Sequence, residues 1–470
     1  MPEFPLTSGL FGRPRLDLPP VRCVNAYFEL TPGGPTKDVL TSRPGLTQAY
    51  DIGTGPISRS FQKPGLFNGD VFNVSGGEVY RASTSLGPVA YSTAPRFAAA
   101  QTFLAIVVGG ALYVYDGTAM TLVEFFDDGF SLLPPFSGCA VLYNIWVFPV
   151  VGSNQFFFSN VGDPRTINAA NFSSAQVSPT PIVEVTVLAE ELYFFKTDTT
   201  EIWDFSGQLT APFAESPGRT YTRGCSAQNS VTLTDNSLFW VGDDFAIYRT
   251  GTVPTRLTET TSYVEDRLKA MGAAISSVTA LTFNIEGHVF YVINLPTLDE
   301  SYAYDCQTKQ WAIWGTQQPL QAEPGIFLGQ TCAGQGQTIY IGSAVDGKVF
   351  LVDPTNHSDD GTPMRVVVTG ALWLPENKKR MGNLTLHGVR GIATRSVPFP
   401  KVWIRISDDG GRTWTPDWME GSLGMIGTYR WKVSFHSLGL MQQPGREIEF
   451  AIADAVNVTI EGAAYNTGRR

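Results

Sequence analysis

Cysteine, histidine and charge are all in short supply in this chain, and each shortage removes a class of protein. Five cysteines (Cys23, Cys139, Cys225, Cys306 and Cys332) are scattered over 470 residues, odd in number and without a CxxC pair. Neither a disulfide framework nor a zinc ribbon is expected, and buried thiols in a reducing compartment are. The four histidines (His288, His357, His387 and His436) fall at neither HxxxH nor HExxH spacing. They read as solvent-facing or strand-capping residues, so no metal is expected from them. No GxSxG elbow, GxxxxGK[ST] loop or helix-opening GxGxxG is present, and no cofactor is expected. Charged residues make up 16% of the chain, against about a quarter in ordinary globular proteins. Spare uncharged surface of this kind suits burial in an oligomer or larger assembly.

The charge that is present is the wrong sign for gripping nucleic acid. Lys and Arg total 33 against 43 Asp and Glu, a net charge of −10, whereas backbone-binding proteins carry the opposite balance. Long apolar runs are missing too. The longest, residues 103–115, is too short to span a bilayer and is interrupted by Gly109-Gly110. The opening MPEFPLTSGLFG has no basic n-region or sustained apolar stretch. No membrane insertion is expected of a chain that reads as soluble and made in a cytoplasm.

What the chain does have is a repeat. Roughly every 40 to 50 residues it returns to an apolar strand, a tight Gly/Asp/Asn turn and a second apolar strand. Residues 66–83, 103–117, 141–164, 185–207, 230–251, 278–294 and 338–354 are such units. One hairpin cannot bury its own apolar face, but a radial series of them can. The fold expected is therefore all-β: a β-propeller of about six or seven blades over residues 59–355. Residues 1–58, rich in Pro and Gly, read as an extended N-terminal arm, and NHSDDGTPM (356–364) reads as a linker. Alternating strands without helical period follow over 365–470, so a C-terminal all-β domain resembling a sandwich is expected. One segment reads as helix. Ser262 and Glu265 form a capping box, and Val264, Leu268 and Met271 share a face.

Candidate chemistry is sparse. The acid pairs Asp127-Asp128, Glu190-Glu191, Asp243-Asp244 and Asp359-Asp360 are sequence neighbours at turns or strand ends. Neighbours in a strand point to opposite faces, so these read as solvated turn acids rather than the paired carboxylates of a glycosidase. The basic run at 377–380 reads as a loop tip. SDDGGRTW is the most specific motif and resembles the Asp-box, S-x-D-x-G-x-T-W, with Ser407, Asp409, Gly411, Thr413 and Trp414 on its fixed positions. Its expected role is structural: acceptors bond turn amides, Gly permits positive φ, and Trp anchors the next strand in the core. No catalytic, cofactor or metal residue is assigned, and the chain does not read as an enzyme.

Three passages carry a resemblance to a family. RCVNAYFELTPGGPTKDVLTSRPGL (22–46) has an R-x-x-N-x-Y stretch leading to a PGL turn, at Arg22, Asn25, Tyr27 and Pro44-Gly45-Leu46. In 199–244, Glu201, Trp203, Gly207, Gly224-Cys225 and DNSLFWVG follow in order, and Arg256-Leu257 and Glu265 come after them. Together with the SDDGGRTW hairpin, these resemble the packaged-DNA stabilisation proteins of short-tailed phages, also called tail hub or nozzle proteins. The resemblance implies a virion protein of the phage tail, made in the host bacterial cytoplasm. It also implies a homohexameric ring below the portal and its adaptor ring. That ring would extend the DNA channel, help retain packaged genome and mount tail fibre, spike or needle proteins. Double-stranded DNA would pass through the lumen without specific binding, and an acidic wall suits that. Two other readings of the propeller remain: a carbohydrate-active enzyme, sialidase-like or depolymerising, and a receptor-binding protein.

Overall fold

The computed structural model describes the chain apart from residues 1, 8, 14–17, 31–37, 54, 93, 209, 258–261, 318–322, 336–337, 374–378, 389–391, 428–430, 444 and 468–470. Six four-stranded antiparallel blades, each of consecutive strands, occupy residues 57–88, 96–123, 140–174, 182–221, 232–256 and 279–313. The local reason is visible in blade two. Strands Phe103–Val108 and Ala111–Tyr115 meet through Gly109-Gly110, both at positive φ (59° and 89°). Two consecutive positive-φ residues give the turn whose twist matches the strands it joins. Tyr143-Asn144, Ala189-Glu190 and Asp235-Asn236 take the same backbone in blades three, four and five.

A seventh blade closes the ring from both ends of the propeller sequence. Strands Gly329–Gln335, Thr338–Ser343 and Lys348–Asp353 are completed at the outer edge by Gly45–Asp51, with Leu351 opposite Thr47 and Val352 opposite Leu46. After five intervening residues the chain passes from Asp51 into Ile57–Phe61, the innermost strand of blade one. The N-terminal segment thereby supplies the last strand of blade seven and the first of blade one, which ties the two ends of the ring together through one continuous stretch of chain.

The residues expected to form an arm are woven through the molecule. Cys23–Val24 lies between blade six and the C-terminal strands, with Val24 paired to both Ile313 and Val367. Ala26–Leu30 and Asp38–Ser42 form a hairpin on the edge of the last strand, Thr459–Thr467, and Glu3–Phe4 pairs with that strand as well. The stretch expected as a linker holds two short strands, Ser358–Asp359 and Thr362–Pro363, the first beside Leu46. Beyond it, one sheet runs Val366–Trp373, Gly445–Ile452, Lys401–Ser407, Met419–Ser422. The second runs Trp431–His436, Lys379–Gly388, Thr459–Thr467 and on into the N-terminal hairpin. Their facing sides bury Leu384, Leu386, Ile404, Ile448 and Phe450, and this cluster is continuous with Phe290, Trp314, Phe327 and Ile341 of the propeller. Shared apolar core couples the two bodies more strongly than a chain connection alone.

The helix Ser262–Met271 forms as its pattern predicts, burying Val264, Leu268 and Met271. It packs between blades five and six with Val241, Ile247 and Trp311, and Glu265 holds Arg256 at 2.7 Å.

Candidate functional site at the propeller axis and the arm keystone

The first strand of every blade lines a central cavity of about 680 Å³. Its floor is crossed by charge. Arg96, at the start of blade two, reaches past blade three to ion-pair with Glu184 of blade four, and it donates to Asn229, just before blade five, at 3.0 Å. Arg96 and Glu184 are each 4% exposed. Arg59 of blade one lines the same cavity, and burial followed by repulsion from Arg96 pushes its pKa down to about 10. It remains charged at neutral pH. A cavity of this size crossed by an ion pair excludes a duplex whose major groove alone is about 12 Å wide.

A second polar centre joins the N-terminal segment to everything around it. Asn25 sits at φ 53°, a conformation Asn tolerates better than most residues. Its Oδ1 accepts from Arg43 Nε at 2.9 Å and from Gly315 N at 2.9 Å, while its Nδ2 donates to Arg365 O at 3.0 Å. Arg43 is 0% exposed and makes a fork to Asp359, 3.0 Å to Oδ1 and 2.5 Å to Oδ2. It also donates to Gly315 O and lies over the Phe327 ring at 4.9 Å. Gly45 runs so close to the neighbouring strand that a Cβ there would meet Ser358 O at 2.5 Å and Asn356 O at 2.6 Å. Arg22 bridges Glu323 at 2.9 Å and Glu449 at 3.0 Å, and Tyr27 packs edge-on against Phe290. The signature Arg22, Asn25, Tyr27 and Pro44-Gly45-Leu46 thus converges on one keystone between blades six and seven and the sandwich. Arg43 and Asp359 were not singled out as its members. An arginine directly preceding the PGL turn is the available signal for the first.

The central signature segment is braced in the same way. Lys196 and Glu201, both 0% exposed, form an ion pair at 2.9 Å in blade four. Lys196 also donates to Ala175 O at 2.8 Å, and Trp203 Nε1 donates to the second carboxylate oxygen of Glu201 at 3.3 Å. Gly224 passes against Thr197, and Trp240 Nε1 donates to its carbonyl at 3.1 Å.

In the Asp-box-like turn, Ser407 Oγ donates to Asp409 Oδ1 at 2.7 Å and accepts from Gly411 N at 2.8 Å. Thr413 donates to Asp409 through both its amide (2.9 Å) and its hydroxyl (2.6 Å). Trp414 departs from expectation: it is half-buried and stacks under the Arg405 guanidinium at 4.8 Å instead of entering the core. For Asp409, desolvation raises the pKa, but the hydrogen bonds from Thr413 and Ser407 outweigh it and hold the group at about 2. A depressed carboxylate stabilises the fold above its unfolded pKa and loses that contribution as pH falls through the folded value. The Thr413 amide resonance is therefore expected to titrate with a midpoint near 2, and an NMR pH titration checks it. A midpoint near the ordinary 3.8 contradicts the turn geometry.

Two other groups of residues part from the sequence reading. His288 opens the strand His288–Leu295, the strand-capping alternative, but it is buried and not solvent-facing, with Nδ1 2.9 Å from Asp305 Oδ2 and its ring against Tyr27. Of the acid pairs, Asp128 bonds turn amides 130 and 131, and Asp244 accepts from Tyr248 OH. Asp359, by contrast, is a buried ion-pair partner because the 356–364 segment packs into the fold instead of running free. In the basic run, Asn377 and Lys378 lie outside the described residues; Lys379 and Arg380 pair in a strand with Met441 and Leu440. All five cysteines are free thiols, and burial pushes Cys23 and Cys225 up to about 12. Among the described residues no group of three or more His, Cys, Asp or Glu is placed to hold a metal, and no helix is long and apolar enough to cross a membrane.

Comparison with known proteins places this geometry. The tail hub protein gp10 of Salmonella phage P22 is 28% identical over 180 residues, which span 37% of this chain and 37% of that relative. Among solved structures, YCF48 from Cyanidioschyzon merolae aligns with TM-score 0.40 and 12% identity, over 66% of this chain and 99% of its own. The extracellular domain of a two-component system, BT4673, from B. thetaiotaomicron aligns with TM-score 0.43 and 9% identity, over 72% and 43%. The family model described as the β-propeller of bacteriophage P22 Gp10 matches residues 2–356, a span that takes in the N-terminal segment with Arg22, Asn25, Tyr27 and Arg43 of the keystone, and all seven blades. The chain belongs to the bacteriophage P22 Gp10 β-propeller family.

Proposed function

We propose that the chain is a structural protein of a phage tail hub, or nozzle, that extends the portal–adaptor DNA channel. In this reading it helps retain packaged DNA and carries tail appendages, and it performs no catalysis. The observation that carries the proposal is the family match over the whole propeller, taken together with an axis crossed by Arg96 and Glu184. Because that axis does not admit a duplex, DNA runs between copies of the chain, and a closed ring of subunits is the arrangement that provides a lumen. A net charge of −10 suits a wall past which phosphates slide. The buried ion pairs and shared core make each subunit a stiff block. Side chains such as Phe130 (88% exposed) and Leu132 on a blade-two loop, and Met425 and Ile426 on the sandwich, offer apolar surface for neighbouring virion components.

Electron microscopy of the purified protein mixed with its phage's portal–adaptor complex is expected to reveal a ring of subunits seated on the adaptor, six by the family resemblance. Its lumen is expected to be acidic. Monomers that fail to bind the complex would overturn the proposal. Incubation with host glycans is expected to leave them intact.

A further inference from the structure

The propeller axis holds more cation than it neutralises. Arg59 and Arg96 both line the central cavity, and Glu184 is the carboxylate that answers them there. Arg96 commits Nε to Glu184 and Nη1 to Asn229 and Pro95 O, but its Nη2, buried with the rest of the side chain, has no hydrogen-bond partner. Arg59 makes no ion pair among the described residues, and repulsion from Arg96 adds to burial in lowering its pKa. Thr232, the first residue of the innermost strand of blade five, presents a second buried, unpartnered atom, Oγ1, three residues beyond the Asn229 that Arg96 holds. Arg59 is half-buried, whereas the unpartnered Arg96 Nη2 and Thr232 Oγ1 are sealed from solvent, and buried donors of that kind are costly unless something pairs with them. Two guanidinium forks and a hydroxyl match the acceptors of a tetrahedral oxyanion.

The geometry points to an oxyanion site in the cavity at the propeller axis, in which Arg59, Arg96 Nη2 and Thr232 Oγ1 bind one small anion of the phosphate class. The anion neutralises excess positive charge in a cavity that the innermost strands of all seven blades line, with its ligands drawn from blades one, two and five. It is distinct from any contact with packaged DNA, because the cavity does not admit a duplex.

Isothermal titration of the full-length protein with sodium phosphate, against sodium chloride at matched ionic strength, tests the site. Saturable binding of about one phosphate per chain is expected for the wild type. Arg59→Gln removes a charge-assisted hydrogen bond and is expected to weaken binding at least about tenfold. Thr232→Val, which keeps shape and leaves the Arg96–Glu184 brace untouched, is expected to weaken it about threefold or more. Arg96 is left unaltered because its loss would also strip Glu184 of its partner. No saturable binding beyond chloride overturns the proposal. Wild-type affinity in both variants, each with an unchanged melting curve and circular dichroism spectrum, overturns it equally, since binding elsewhere would then account for the heat.

Discussion

Arg43→Met is expected to destabilise the protein by about 3–5 kcal/mol, the cost of leaving a buried carboxylate without its partner. Asp359 is 1% exposed at the side chain and loses both arms of the guanidinium fork; Asn25 Oδ1 loses its Arg43 donor and keeps only Gly315 N. The damage should be local before it is global. Arg43 lies two residues before the strand that completes blade seven, and Asp359 sits in the short strand against that same edge. Hydrogen exchange is therefore expected to rise first in residues 45–51 and 348–360, with the midpoint of urea unfolding falling alongside. The double variant Arg43→Met with Asp359→Leu removes both charges and should recover much of the loss, because apolar replacement of an entire buried pair is often close to neutral. An unchanged midpoint in Arg43→Met would mean that the keystone contributes no stability. Exchange that rises uniformly across all blades would mean that it does not latch the ring.

The second large effect lies in blade four. Glu201→Leu strands the Lys196 ammonium at 0% exposure with only carbonyl acceptors, including Ala175 O at 2.8 Å. A cost of about 3–5 kcal/mol is expected here also. It should be relieved in the double variant Lys196→Met with Glu201→Leu, so that the two single effects do not add. Trp203 gives an independent readout. Its indole N–H bonds the same carboxylate and its ring packs against Phe156 and Phe194, so near-ultraviolet dichroism and Trp fluorescence should change in Glu201→Leu. Additive single effects in the double-variant cycle would show that the two side chains do not act as a pair.

These two pairs mark the boundary of what could be read along the chain. The hairpins were legible because strand, two-residue turn and strand lie within about twenty residues: the apolar run 103–115, broken only by Gly109-Gly110, states its own fold. The helix at 262–271 was legible for the same reason, from the single face of Val264, Leu268 and Met271. In the SDDGGRTW turn the hydrogen bonds of Ser407, Asp409, Gly411 and Thr413 span four residues, and only the destination of Trp414 was misjudged. Lys196 and Glu201 are five apart, close enough to meet in one hairpin, yet nothing local says that both become fully buried. The family signature supplied Glu201 as a position and no physical reason for it.

Other features depend on partners that periodicity does not reveal. Arg96 and Glu184 are 88 residues apart, and Arg43 and Asp359 are separated by 316. A single arginine at a strand end and an aspartate in a polar stretch look like surface residues until the ring brings them to their partners. For the same reason residues 1–58 read as an arm and 356–364 as a linker: their strands are short, rich in Pro and Gly, and gain meaning only from the edges they complete. The sequence alone determined that the chain would be a series of hairpins with few charges, no disulfide framework and no recognisable catalytic motif, because each of those rests on local spacing or on composition. The tertiary structure alone decided that the N-terminal segment closes the seventh blade and that buried ion pairs lock the keystone. It also decided that the propeller axis is crossed by side chains and closed to DNA. Those outcomes rest on contacts between residues far apart along the chain, and closing the ring is what brings them within reach.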